Sequence, residues 1–314
     1  MGRMPPTVET IVVRRELTHR CTFAAVIAHA DDADMLGKCI VHHRNVGVER
    51  IFVSLNRDDP ESASVARGLE MDGTVRSAPV KAFAPDPFQY FTAAVQAVMQ
   101  WVAPDWILFI DSDEFWIPSS GRLQGTADLY SSDLFSVPRY NAVPVRGRGG
   151  IRDIDPSDFA TTPIATSRRL LGQTTLDQNP ESPWIQGDDG GKIMARPELV
   201  VHVGRGAHDV VAVVEDLPRQ RPADLIVLHL PFTTEARFVR KIDAVRARLA
   251  LYGDRFEGAE AWHWRRWVAI ADAGGLHEEF ERQVYEEADV PRLLATGVLT
   301  TPAAVLAGTP VLCG

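Results

Sequence analysis

The segment Trp106–Trp116, WILFIDSDEFW, holds the residues with the clearest chemical potential in the chain. An apolar run of strand length, Trp106–Ile110, leads directly into Asp111, Ser112, Asp113 and Glu114. A buried strand that ends this way delivers its acids to the carboxyl edge of a sheet, where open α/β sheets bind their ligands. Two aspartates one residue apart at that edge can share one divalent cation with a diphosphate. Hard oxygen donors suit Mg2+ or Mn2+, which keep coordination positions open for substrate phosphate. The plainer reading is an acidic turn that caps the next element; the wholly apolar strand in front favours ligand binding.

Positioning those acids requires a parallel sheet, and the first third of the chain is patterned for one. Cys21–His29 is a continuous apolar run. Asp32–Val46 follows as a helix with Met35, Leu36, Cys39, Ile40 and His43 on one face, and Gly47 stands where a helix stops. Arg50–Leu55 is the second strand. Asp59-Pro60 opens a helix over Asp59–Met71, as an N-cap followed by proline in the first turn. Thr74–Ala78 is a third strand, and Phe88, Phe91, Val95, Val98, Met99 and Val102 repeat at helical spacing before the fourth. Strands alternating with helices predict a mainly parallel sheet flanked by helices.

Beyond Asp133 the texture changes to short β-like runs at Leu134–Val137, Leu199–Val203, Val210–Val214 and Leu225–Leu230, separated by the loops Gly147–Asp158 and Gln173–Gly191. Loops of that length are commonly functional. From Thr233 the spacing is helical, with Phe238, Ile242, Val245 and Leu249 on one face, and helices are predicted over Glu260–Ala273 and Leu276–Ala288. The division that follows is an N-terminal extension (1–20), a main domain (21–245, dividing near 115) and a C-terminal helical region (246–314).

The 314 residues carry a formal charge of −9, with 45% apolar and 24% charged residues. This is globular chemistry, and the acidic balance opposes a protein that coats nucleic acid. Three scattered cysteines support neither a disulfide framework nor a cysteine zinc site. No apolar run approaches a membrane span, and the first twenty residues lack the apolar core of a signal peptide, so a cytoplasmic protein is expected. The cluster Trp262-His263-Trp264-Arg265-Arg266-Trp267 reads as an amphipathic helix for docking to a partner or, peripherally, to a lipid surface.

The pattern resembles the GT-A fold of nucleotide-sugar glycosyltransferases, closest to the family 2-like group with echoes of family 92. DSDEFW resembles their aspartate-x-aspartate-glutamate-phenylalanine motif. HADDADMLGKCIVHHRNVGVERIFVSLNRDDPES resembles their opening strand, acidic turn and His-His helix, here with His42-His43 and Gly47-Val48. GGKIMARPELVVHVGRGAHDV and LHLPFTTEARFVRKI resemble the family's lysine-plus-histidine and histidine-to-Lys-Ile segments. The likeness spans about 21–245. One departure is His29-Ala30-Asp31-Asp32, where the family has a lysine-asparagine-glutamate turn.

The resemblance implies a nucleoside diphosphate sugar donor, a UDP-sugar being favoured, and a carbohydrate, glycolipid or small-molecule acceptor. His29, Asp31 or Asp32, Asn56, Asp58, Ser112 and Lys192 would contact the donor, although Asp31 and Asp58 also suit helix caps or turns. Asp111, Asp113 and His229 would hold Mn2+ or Mg2+, with His208 and His202 as weaker ligands and Lys241 as a further cation for the diphosphate. An inverting transfer needs a carboxylate base. Asp188 and Asp189, in WIQGDDGGK, are the candidates, with Glu114 as fallback or as a group that orients the metal ligands. Trp116 and Trp184 suit either sugar stacking or packing. Two other readings compete: a GT-A-like domain that binds carbohydrate or nucleotide without turnover, and a phosphohydrolase with an aspartate nucleophile. The latter wants its acidic motif near the N-terminus, followed by Gly-Thr.

Overall fold

The computed structural model describes residues 21–29, 32–55, 59–84, 86, 89–165, 183–187, 190–256 and 261–308. Its centre is a six-stranded sheet in the order β3-β2-β1-β4-β11-β6. Strands β1 (Phe23–His29), β2 (Arg50–Leu55), β3 (Val75–Pro79) and β4 (Trp106–Asp111) are parallel, as the alternating pattern predicts. β11 (Lys192–Ala195) joins β4 antiparallel and pairs in turn with β6 (Leu134–Val137). β1 is buried along its whole length, and its side chains divide with period two. Phe23, Ala25 and Ile27 meet helices α1 (Ala33–Asn45) and α2 (Pro60–Leu69). Ala24, Val26 and Ala28 meet α3 (Val80–Phe83) and α4 (Tyr90–Trp101).

Local chemistry sets the helix ends. Asp59 caps α2 by accepting from the Glu61 and Ser62 N–H groups, with Pro60 at the first position. Asp32 caps α1 through the Met35 N–H, and Gly47, at φ +106°, turns the chain away from its end. All five residues expected on the inner face of α1 are buried. His42 donates to the Trp116 carbonyl at 2.9 Å, and the Trp116 N–H donates to His43 Nε2 at 3.3 Å. The His-His pair therefore grips the strand that leaves the acidic motif. Trp116 is a core residue, fully buried, and not a platform for a sugar.

Further pairings and helices lie outside this sheet. β5 (Glu114–Pro118), β14 (Leu225–His229) and β7 (Arg139–Asn141) form a second sheet. Smaller pairings join β8 (Val145–Gly147) to β9 (Gly150–Ile151) and β12 (Val200–Val203) to β13 (Val210–Ala212). Helices α5 (Glu235–Tyr252), α6 (Trp262–Asp272), α7 (Leu276–Glu281), α8 (Val290–Ala295) and α9 (Pro302–Leu306) complete the chain.

The position 245 falls inside α5, whose Phe238, Ile242 and Val245 are one continuous buried face. The C-terminal region adds two short strands to its helices. β15 (Tyr285–Glu286) pairs with β8, and β16 (Leu299–Thr300) pairs with β10 (Ile164–Ala165). The helix expected through Ala288 ends at Glu281, because Gln283 turns in to accept the Ile185 N–H and Tyr285 joins β8. Finally, the aromatic cluster of α6 is not an outward docking face: Trp267 is buried against Trp184, Phe232 and Phe238, and the half-buried Trp262, His263 and Trp264 line a cleft. Among the described residues no helix is long and apolar enough to cross a membrane.

Candidate active site

A cleft of about 650 Å3 opens at the carboxyl ends of β1 and β4, with α5 and α6 along its walls. Its floor includes Ala28, His29, Asp111, Ser112 and Asp113; His208, His229 and Lys241 line its sides. The volume lies within the range of small-ligand sites, roughly 300–1,000 Å3.

The acidic turn is held from every direction. The Asp111 N–H donates to Glu114 Oε2 at 3.1 Å, the Ser112 N–H to the Ala28 carbonyl at 3.0 Å, and the Leu230 N–H to the Asp113 carbonyl at 2.8 Å. Ser112 is fixed by a chain of hydrogen bonds. The Ser62 hydroxyl donates to Asp59, so Ser62 Oγ accepts from His29 Nε2, 2.6 Å away. His29 Nδ1 in turn meets the Ser112 hydroxyl at 2.9 Å. His29 is thus a buried brace with both nitrogens engaged.

Behind the turn lies a buried charge network. Lys192, the first residue of β11, is wholly buried, with Nζ 2.7 Å from Asp111 Oδ2, 3.0 Å from Glu114 Oε2 and 2.7 Å from the Gly206 carbonyl. Gly206 presents that carbonyl from a left-handed conformation, φ +66°, and a Cβ there would lie 2.8 Å from the His208 ring. Glu114, also wholly buried, takes Arg139 at 2.9 Å on its other oxygen. Burial raises the pKa of Glu114, but Lys192 and Arg139 outweigh it and hold the carboxylate below its usual range. Burial depresses the Lys192 pKa, and Asp111 and Glu114 more than reverse this.

Towards the cleft the arrangement is looser. Asp113, 24% exposed, lies 3.1 Å from Lys241 Nζ and 3.5 Å from His229 Nε2. Burial pushes its pKa up, and Lys241 and then His229 pull it well below the carboxylate range. His229 ends β14, and its Nδ1 meets Asn141 Oδ1 at 2.8 Å. Burial lowers its pKa despite the opposing pull of Asp113. His208 donates from Nδ1 to the Gly191 carbonyl at 2.9 Å, and burial, then Lys192, lowers its pKa to about 4.

The structure thus brings together Asp111, Ser112, Asp113, Glu114, His29, Lys192 and His229. His208 and Lys241 join them on the cleft wall, whereas His202 sits on β12 beside Thr92, outside the cleft lining. Asp32 lines the cleft, pairing with Arg237 at 3.0 Å. Trp184 is buried with Phe232 and Trp267 at the cleft edge. Asp31, Asn56, Asp58, Asp188 and Asp189 lie outside the described residues. Sequence reasoning missed Asn141 and Arg139, which belong to β7 and reach the site only through its parallel pairing with β14. Their sole sequence signal is a short polar run, RYN, which carries no spacing rule.

The donors suit a hard divalent cation in kind: two carboxylates and an imidazole nitrogen line the cleft, the chemistry such ions take. The set is not a finished cage. Among the described residues no group of three Asp, Glu, His or Cys is already arranged around a metal position, and Lys192 and Lys241 engage the two aspartates.

No family model and no curated protein matches the sequence. Among solved structures, the chain is similar to glucosyl-3-phosphoglycerate synthase from Mycobacterium tuberculosis in complex with Mn2+, UDP and phosphoglyceric acid, at 17% identity and a TM-score of 0.34, over 60% of this chain and 61% of that one. The complex of the same enzyme with Mn2+ and UDP-glucose aligns at 16% identity and a TM-score of 0.33, over 57% of each chain. A further mycobacterial protein aligns at 17% identity and a TM-score of 0.36, over 67% of this chain and 65% of that one. The match spans less than two thirds of the length of each of these structures.

Proposed function

We propose that this chain is a metal-dependent glycosyltransferase of the GT-A, family 2-like kind, moving a sugar from a nucleoside diphosphate donor to a hydroxyl acceptor with inversion. The observation that carries the reading is a nucleotide-sized cleft at the β1/β4 carboxyl edge whose lining includes Asp111, Asp113 and His229. Asp111, Asp113 and His229 would hold Mn2+ or Mg2+; when bound, the ion stabilises the charge that develops on the leaving diphosphate. Lys241 lies on the cleft wall with its ammonium on Asp113, ready to exchange that carboxylate for a diphosphate oxygen.

In the transfer, the acceptor oxygen bonds to the anomeric carbon from the face opposite the diphosphate. The carbon–oxygen bond to phosphate breaks with its electron pair, and the acceptor proton passes to a carboxylate. Asp188 or Asp189 is assigned that proton. In support, their described neighbours are anchored beside the site: Asn141 holds the Gly187 carbonyl at 3.2 Å and His208 holds the Gly191 carbonyl at 2.9 Å. Glu114 is assigned the other role open to it. With both oxygens bound by buried cations it orients Asp111 and does not accept the proton. Lys192 acts through Asp111 in the same way, and His29 through Ser112. Asp31, Asn56 and Asp58 are proposed donor contacts beyond β1 and β2.

Thermal shifts with UDP, GDP, CDP and dTDP, each with and without Mn2+, test the reading, because a ligand of the native state raises its stability. One nucleotide, a uridine one by expectation, should stabilise the protein only with metal, and Asp111→Asn or Asp113→Asn should abolish the shift. Unchanged nucleotide binding in both variants would overturn the site. Binding without transfer to any acceptor would favour a carbohydrate- or nucleotide-binding domain.

A further inference from the structure

We infer that Asn141 is a positioning residue that keeps a hydrogen on His229 Nδ1, so that Nε2 is the nitrogen offered to the cleft, and that ties His229 to the 183–187 segment. The orientation of its amide is fixed by its partners. Nδ2 lies 3.0 Å from the Ile185 carbonyl and 3.2 Å from the Gly187 carbonyl, and carbonyls only accept. The NH2 group therefore faces the 183–187 segment, and Oδ1 faces His229. Oδ1 also only accepts, so the hydrogen in the 2.8 Å contact belongs to His229 Nδ1. With that hydrogen on Nδ1, Nε2 is the nitrogen offered to a ligand, 3.5 Å from Asp113 Oδ2.

His229 Nε2 and Asp113 thus face each other across the cleft wall, where a divalent cation would take both as ligands. Backbone register secures the geometry: Asn141 and His229 are partners in the β7–β14 pairing, and the Ala142 N–H donates to the His229 carbonyl at 2.8 Å. Both side chains are at least nine-tenths buried, so water does not replace these bonds. One amide consequently reads two things at once, the tautomer of His229 and the position of the loop. Coupling of this kind is reciprocal: a cation held by His229 should steady residues 183–187, and loosening that segment should weaken the cation. The inference rests on the proposal that Asp111, Asp113 and His229 hold a divalent ion.

The test uses the full chain and the variants Asn141→Asp and Asn141→Leu, with three readouts: imidazole 15N shifts for the tautomer, Mn2+ titration by electron paramagnetic resonance, and hydrogen exchange over 183–187 with and without Mn2+. Asn141→Asp keeps the acceptor and removes the donors. It should retain the Nδ1–H tautomer and bind Mn2+ within about threefold of the parent, while 183–187 exchanges faster and stops responding to metal. Asn141→Leu removes both functions. Its His229 should move its hydrogen to Nε2, towards Asp113, and Mn2+ affinity should fall about 10–100-fold, the usual cost of losing the partner of a ligating histidine. A parent tautomer and parent affinity in Asn141→Leu would overturn the inference, as would equal losses in the two variants, which would make Asn141 a packing residue. Should Asn141→Leu not fold, Asn141→Asp still decides: loss of its tautomer, or 183–187 exchange unchanged from the parent, overturns the inference. A parent protein that binds no Mn2+ would break the metal reading instead, and the tautomer and exchange of the variants would still judge Asn141.

Discussion

Asp111 and Asp113 come from the same turn, yet one is tied to a buried network and the other to a cleft wall. Asp111 is the more exposed of the two, 37% against 24%, but its partner Lys192 is wholly buried and shared with Glu114 and, through it, Arg139. Asp113 meets Lys241, itself about one third exposed, and His229. Buried ions are expensive to leave unpaired, whereas partly exposed ones are screened by water. The inner network is therefore the costlier one to break, and Asp113 is the group proposed to exchange partners.

Removing the inner cation should have the largest effect. Lys192→Met leaves Glu114 buried with one partner fewer and frees Asp111, at a cost of about 3–5 kcal/mol in urea unfolding; a loss under about 1 kcal/mol would erase the distinction between the two aspartates. Next in size, Asp113→Asn should keep the fold and cut transfer on the order of 10²–10³-fold, the scale of losing one transition-state charge stabiliser, as read from initial rates at saturating metal. An active Asp113→Asn enzyme would move the chemistry elsewhere.

Acid sharpens the contrast further. Asp113 and Glu114 have folded pKa values below their ordinary 3.8 and 4.5, so the stability they contribute is lost only as pH falls through that lower range. Losses above it belong to groups held neutral, chiefly His43, whose pKa burial and then His42 lower from 6.5 to about 3. The unfolded chain takes up that proton first, so stability declines as pH falls from 6.5 towards 3. At one proton and about 1.4 kcal/mol per pH unit, His43 accounts for about 2 kcal/mol by pH 5. His208, lowered to about 4, adds to the same window. Thermal melts from pH 7 to 4.5 should show this slope, reduced in His43→Gln, which can keep both backbone hydrogen bonds; an unaltered slope would assign it to other groups. The smallest effect belongs to Lys241→Met. It should change stability by less than about 1 kcal/mol while weakening metal-dependent nucleotide binding, and a loss as large as that of Lys192→Met would contradict the proposed roles.

How much of this was legible in the sequence depends on where each residue's constraint comes from. The caps Asp59-Pro60 and Gly47, the face Met35-Leu36-Cys39-Ile40-His43 and the strand Trp106–Ile110 answer to local stereochemistry and period, and they appear where the pattern puts them. Lys192 was legible as a cation near the site but not as a buried one, because its partners Asp111 and Glu114 are about eighty residues away. Trp267 belonged to a run that read as a docking face and Trp184 suited stacking or packing; both are buried in an apolar cluster assembled from residues between 143 and 299. The helix expected through Ala288 gave way to a pairing with Val145 that no local signal announces.

The sequence by itself determined the alternating α/β order, the acidic turn after the fourth strand and the identity of the groups that could meet a cation there, since these follow from side-chain chemistry and short-range periodicity. Only the tertiary structure decided which of two neighbouring aspartates faces a buried lysine, that Glu114 is a brace, and that Asn141 sets the tautomer of His229. Those outcomes depend on strands far apart in sequence being brought into register, β4 against β11 and β7 against β14. Burial then makes each unpaired charge or missing hydrogen bond costly enough to fix a single arrangement.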